Sequence, residues 1–230
     1  MAGLFKDIAH VRRALLVPQF RQAITELAAS RGLIFNGIYV YGTQSFLFKA
    51  PVTKLAEFAG KRVRVLASEA EQAQVNSLGA ASVPMTLGEV LPALNQGTID
   101  GVSTGISIFV SLKYYDAATN MVDTHLWAIV TISLVSKVWH DKLPPDLQKA
   151  VVETGFKVEP EINKWGEARL AEDANTWTTK GGKTITLSPA EQQEAERRVT
   201  AAIQPILDKN APLKEFYNKL KAAAASVEQK

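Results

Sequence analysis

The chain reads as an α/β protein with helix-covered sheets, and three observations carry that reading. Short β-branched and aromatic runs alternate with amphipathic stretches along most of the 230 residues. The connections between them are brief, as packed α/β units require. One stretch, Pro145 to Thr179, is long enough as a helix to join two lobes.

From the start, Lys6 to Ser30 predicts helix, with Val11, Leu15, Leu16, Phe20, Ile24 and Leu27 at three- and four-residue spacing. Pro18 divides it as a first-turn proline, and Gly32 stops it. Leu33 to Tyr41 and Ser45 to Lys49 predict strands, followed by a short helix, Lys54 to Phe58, that Gly60 terminates. Arg62 to Leu66 (RVRVL) predicts a strand, Glu69 to Leu78 a helix, and Ser82 to Met85 a brief strand. Thr86-Leu-Gly-Glu89 has the spacing of a capping box and opens a helix over Leu87 to Asn95, closed by Gly97. After Ile99-Asp100-Gly101-Val102 a helix is expected over Ile106 to Asp116, then strands over Asn120 to Asp123 and Ala128 to Val135.

Pro145 to Thr179 would span roughly 50 Å at about 1.5 Å per residue. Pro160 in its middle predicts a kink near Val158 to Pro160, with two separate helices as the equal alternative. Lys183 to Leu187 (KTITL) alternates as an edge strand, and Ser188-Pro189-Ala190-Glu191 combines a capping box with a first-turn proline. Two closing helices, Ala190 to Leu207 and Leu213 to Ala224, complete the chain, with fraying expected in the last few residues.

Composition narrows the function classes. With 47% hydrophobic and 21% charged residues this is a globular composition, and 26 Lys plus Arg against 23 Asp plus Glu lack the broad positive field of a nucleic-acid binder. The absence of cysteine removes disulfides, thiolate nucleophiles and iron-sulfur ligation. His10, His125 and His140 form no zinc-binding pair, so neither a metal nor any other cofactor is expected. No run of about 18 apolar residues is present to cross a membrane. Met1 to Asp7 followed by Arg12 and Arg13 is not a secretory signal, so the protein is expected to be cytoplasmic or to lack its true beginning.

No nucleophile elbow, phosphate loop or dinucleotide fingerprint stands in the sequence, so no catalytic residue is assigned and an enzyme is not expected. Arg64 is the most informative charge. Alternation in RVRVL puts Val63 and Val65 on one face and Arg62, Arg64 and Leu66 on the other. Such a guanidinium could clamp a carboxylate with two parallel hydrogen bonds, or it could pair with a nearby acid or lie in solvent.

The run GAASVPMTLGEVLPALNQGTIDGV, Gly79 to Val102, resembles the central segment of the DctP-like solute-binding proteins of tripartite ATP-independent periplasmic (TRAP) transporters. Gly79, Ala80, Pro84, Glu89, Val90, Ala93, Leu94, Gln96, Gly97, Asp100 and Gly101 carry the match, with Leu91 where Tyr is usual. Leu55 to Arg64 (LAEFAGKRVR), Lys113-Tyr-Tyr-Asp116 and Trp139 to Gln148 resemble three further family motifs in the right order.

The resemblance implies a periplasmic-binding-protein-like fold: two lobes with helix-covered sheets, joined by crossing strands and a long helix, closing on a small organic acid that is passed to a membrane permease. It implies lobes made of 1–41 with 128–169 and of 42–127 with 170–230. It assigns Arg64 as the carboxylate-binding residue, with Thr104, Trp127, Leu87 and Gln44 at other cleft positions. Gln44 stands near a position where a second Arg is common, so a neutral hydrogen bond replaces a charge there, and a monocarboxylate or an acid with an apolar tail is expected. Trp127 could equally be a core aromatic. His125 and Asp100 are expected to be structural, with Asp100 bracing the turn at Gly101, and Trp165 and Trp177 to pack on the long helix.

By the same resemblance the chain lacks a signal and the first strands and helices of the family, implying an N-terminally shortened member of a periplasmic protein. Exposed sheet edges of the shortened lobe would then favour self-association. A cytoplasmic small-molecule-sensing domain of the same fold is the alternative function.

Overall fold

The structure is a computed structural model and describes residues 3–228. The first helical stretch is two helices, α1 (Ile8–Leu15) and α2 (Pro18–Ser30), split where Pro18 enters as a first-turn residue. Next come β1 (Leu33–Thr43), β2 (Ser45–Phe48), a 3-10 turn over Leu55–Phe58, β3 (Arg62–Val65) and α3 (Glu69–Ser77). They are followed by β4 (Ala81–Pro84), α4 (Leu87–Gln96), β5 (Gly101–Thr104), α5 (Ile106–Ser111) and β6 (Asn120–Asp123). The second half holds β7 (Ala128–Ser136), α6 (Lys137–His140), α7 (Pro145–Lys157), α8 (Glu159–Thr179), β8 (Lys183–Thr186), α9 (Pro189–Lys209) and α10 (Ala211–Ala225).

Three departures from the sequence reading have local causes. Strand β5, Gly-Val-Ser-Thr, carries too little apolar signal to be seen alone; it forms because β3 and β2 pair with it on both sides. The helix expected over Ile106 to Asp116 stops at Ser111, and Lys113 turns left-handed at φ 55°. That turn sends Tyr114 into the core, where its hydroxyl donates to Leu87 O at 2.6 Å. Helix α6 was not expected; the Ser136 hydroxyl caps it by accepting from Trp139 N.

Pro145 to Thr179 is two helices separated only by Val158, which keeps right-handed helical angles of −84° and −9°. Pro160 lies in the first turn of α8, where its missing N–H leaves no intrahelical bond unmade.

The chain divides into two compact units. One comprises Thr43–Trp127 and Arg169–Asn210. Its six-stranded sheet runs β4-β3-β5-β2-β6-β8, with β4, β3 and β5 parallel, β2 antiparallel to both neighbours, and β8 at the edge, parallel to β6. Alternation along the strands feeds two cores. Phe46, Phe48, Val63, Val65 and Val122 meet Val75, Ala195 and Val199 of α3 and α9, whereas Leu47, Val102 and Met121 meet Val90, Leu94, Phe109 and Trp177.

The other unit comprises Leu4–Gly42, Ala128–Ala168 and the chain from Ala211 onward. Strands β1 and β7 form its two-stranded sheet, and β7 leaves Ile132 and Leu134 exposed. The final helix, expected in one lobe with the rest of 170–230, belongs to this unit. Helix α10 packs on α1 and α2, His10 Nε2 bonds Ala224 O at 2.9 Å, Arg13 Nε donates to Val227 O at 3.0 Å, and Lys219 pairs with Glu26. Trp177 is buried as expected, but Trp165 is 57% exposed and contributes no core. The last two residues of the expected frayed end lie outside the described residues.

Candidate ligand-binding site around Arg64

Strand β3 sets the site. Its pleat sends Val63 and Val65 into the α3–α9 core and places Arg64 between Val83 of β4 and Val102 of β5. The three strands are parallel, so their carboxyl ends share one edge, the location where open α/β sheets hold ligands. Arg64 is only 1% exposed, an unusual state for a guanidinium. Its Nε donates to Met85 O at 2.9 Å, while neither Nη1 nor Nη2 has a hydrogen-bond acceptor among the described residues. Burial works against its charge, and the Glu71 carboxylate works for it. Tyr114 itself is pushed up to about 12 by burial, against the pull of Arg64, so its phenol stays neutral.

Glu71 is the carboxylate that the sequence reading missed. It sits in the first turn of α3, whose cap Ser68 accepts from Glu71 N at 3.5 Å. The spacing Ser68-x-x-Glu71 is that of a capping box, which would send the carboxylate back to the Ser68 amide. Instead its Oε2 accepts from Leu66 N at 3.1 Å, at the end of β3, and Oε1 accepts from Gln44 Nε2 at 2.7 Å. Burial raises the Glu71 pKa, and the hydrogen bonds from Gln44 and Leu66, the charge of Arg64 and the Ser103 hydroxyl oppose the rise. No ion pair joins Glu71 to Arg64 among the described residues, yet each shifts the other.

Gln44 ties these groups to the ends of the segments that lead out of the unit. Its backbone N donates to Trp127 O at 3.0 Å, and its Oε1 accepts from the Trp127 indole Nε1 at 2.6 Å. Its Nε2 also donates to Ser103 Oγ at 2.5 Å. Trp127 is 8% exposed and packs edge-on against Phe46, so it is a core aromatic with a polar tip in the network. Thr104 ends β5 beside Ser103 and pairs with Ser45, next to Gln44, and is half-buried. Leu87, half-buried at the start of α4, is placed by the Tyr114 hydroxyl. The five expected residues therefore fall in one unit, but among the described residues only Gln44 and Trp127 of the five are joined by side-chain hydrogen bonds, and Gln44 spends both ends of its amide on protein partners.

The other charges nearby are engaged elsewhere. Asp100 accepts from Arg62 N, Nε and Nη2, which holds its carboxyl below the ordinary range and braces the turn before Gly101. His125 adopts φ 50° with its ring near Asp123. Among the described residues no cluster of three or more His, Asp or Glu could hold a metal ion, and no helix is long and apolar enough to cross a membrane.

The family described as bacterial extracellular solute-binding protein, family 7 (DctP) matches residues 2–210. Protein YiiZ of Salmonella typhimurium is 27% identical over 96% of this chain and 67% of its own length. A solute-binding protein of Sulfitobacter is 28% identical over 67% of this chain and 47% of its own. The chain thus spans from about half to about two thirds of the length of these curated relatives. Among solved structures, a TRAP periplasmic solute-binding protein from Xanthobacter autotrophicus with bound β-D-galacturonate superposes with a TM-score of 0.85 and 28% identity, over 96% of this chain and 73% of that one.

Proposed function

This chain belongs to the DctP family of bacterial extracellular solute-binding proteins, and on that premise we propose that it binds a small organic acid through Arg64 and passes it to a TRAP membrane permease. The reading makes it a binding protein working in the periplasm, with no catalytic step. One observation carries it: a buried guanidinium, anchored through Nε on Met85 O, with no acceptor for either Nη group among the described residues. That is the donor pair a carboxylate takes in a bidentate contact. The Xanthobacter relative, solved with a sugar acid, supports the class of ligand. Thr104, at the end of β5, is the polar side chain placed to add a contact, and Leu87 an apolar one.

The ligand we infer carries a single carboxylate. Arg62 is committed to Asp100, and Gln44 stands where a second cation would be needed. Calorimetry with galacturonate, succinate and simple monocarboxylates, on wild type and Arg64→Ala, tests the reading. At least one carboxylate binds the wild type, and the variant loses about 30-fold or more in affinity, as removal of a desolvated charge partner costs. Equal affinity in the two proteins would refute it.

A second proposal concerns assembly. Helix α8 covers β1, taking Ile38 N and Val40 N on Glu159 Oε1 and Asn163 Oδ1, whereas β7 leaves Ile132 and Leu134 exposed, so we infer that the chain self-associates through β7. Light scattering at micromolar concentration then gives a dimer or larger species; a stable monomer would end the proposal.

A further inference from the structure

We propose that Glu71 sets the selectivity of the site, favouring a carboxylate ligand that also carries a hydrogen-bond donor, a hydroxyl or an ammonium, and disfavouring one with a second carboxylate. This rests on Arg64 holding the ligand's first carboxylate.

The ionisation of Glu71 follows from its neighbours. An indole nitrogen can only donate, so the 2.6 Å bond from Trp127 Nε1 fixes the Gln44 amide with Oε1 toward Trp127 and Nε2 toward Glu71. Oε1 of Glu71 then accepts from Gln44 and Oε2 accepts from Leu66 N. Donors set against both oxygens, with the Arg64 charge nearby, favour the carboxylate over the acid.

A negative group therefore stands beside the positive one without pairing with it. Gln44, Leu66 N and the Ser103 hydroxyl take three of the about four lone-pair sites of the Glu71 carboxylate, which leaves one that can accept from a ligand donor. A second ligand carboxylate would meet like charge in a site where water screens little. It would also find no donor on Gln44, whose two amide hydrogens go to Glu71 and Ser103. The Arg64 guanidinium has only its two Nη groups to give, and the first carboxylate takes them.

A matched series isolates the effect: butyrate, 4-hydroxybutyrate, 4-aminobutyrate and succinate share four carbons and differ in the far group. Calorimetry on the wild type is expected to rank the hydroxy or amino acid first, with succinate weaker by about tenfold or more. The two donor-bearing acids, compared with each other, say whether hydroxyl or ammonium is preferred. Glu71→Gln, confirmed as folded by its circular dichroism melt, is expected to shrink that ratio to about threefold or less, chiefly by tightening succinate. A merely structural role for Glu71 would weaken all four acids together and leave their ratio unchanged, which would overturn the proposal. So would succinate binding the wild type as tightly as the donor-bearing acids, a result that needs no variant. Retention of binding in Arg64→Ala would instead remove the carboxylate site itself, so failure of the underlying reading is distinguishable.

Discussion

At the scale of single residues, the site is a set of polar groups whose roles are fixed by what each can donate. Trp127 holds Gln44, Gln44 and Leu66 hold Glu71, and Met85 holds Arg64. Trp127→Phe deletes the indole donor and leaves Gln44 Oε1 without its bond; stability is expected to fall by about 1–3 kcal/mol, read from urea unfolding. An unchanged midpoint would show the bond to be idle. The raised pKa of Glu71 gives a pH test. A folded-state value above the ordinary 4.5 means that ionisation of Glu71 favours the unfolded chain. Its stabilising contribution is full below 4.5 and lost as pH rises through the folded value, so wild type loses ground to Glu71→Gln between pH 4 and pH 7. If wild type gained on the variant over that range, the environment described for Glu71 would be wrong. Arg64 stood out as a candidate through the family motif around it, its strand alternation leaving the clamp and the plain ion pair both open, whereas Glu71 did not: its capping-box spacing points to a local bond, and only the fold brings Leu66 N and Gln44 to it.

At the scale of elements, the punctuating residues were the most legible. Pro18 splits two helices, Pro189 opens α9, Thr86 and Glu89 form their capping box, and Gly97 takes the left-handed cap at φ 69°. Strand β5 was hidden because its conformation comes from its two neighbours, and its packing there is tight. A Cβ on Gly101 would lie 2.5 Å from Phe48 Cδ1 and 2.6 Å from Leu47 O. Gly101→Ala is therefore expected to cost about 1–3 kcal/mol in chemical denaturation, by overpacking against β2. A neutral result would mean that β5 can move away from β2 freely. The break after α5 was equally hidden, since the run Ile106 to Asp116 is locally consistent with helix and it is the burial of Tyr114 against Leu87 that ends it.

At the scale of the molecule, the α/β class followed from alternation, while the division of the chain followed from tertiary packing that no local pattern carries. Helix α10 shows this well: its small residues Ala223 and Ala224 are buried against α1 and α2, far away in sequence, and nothing in the periodicity of its own stretch names that partner. The proposed function depends on one placement, a carboxylate on the Nη pair of Arg64, which has no acceptor among the described residues. A crystal structure with the tightest binder of the carboxylate panel tests it most directly. The account predicts one ligand carboxylate at about 2.7–2.9 Å from both Nη1 and Nη2 of Arg64, with Nε still on Met85 O; a ligand whose carboxylate rests elsewhere, leaving that nitrogen pair unbound, would contradict it.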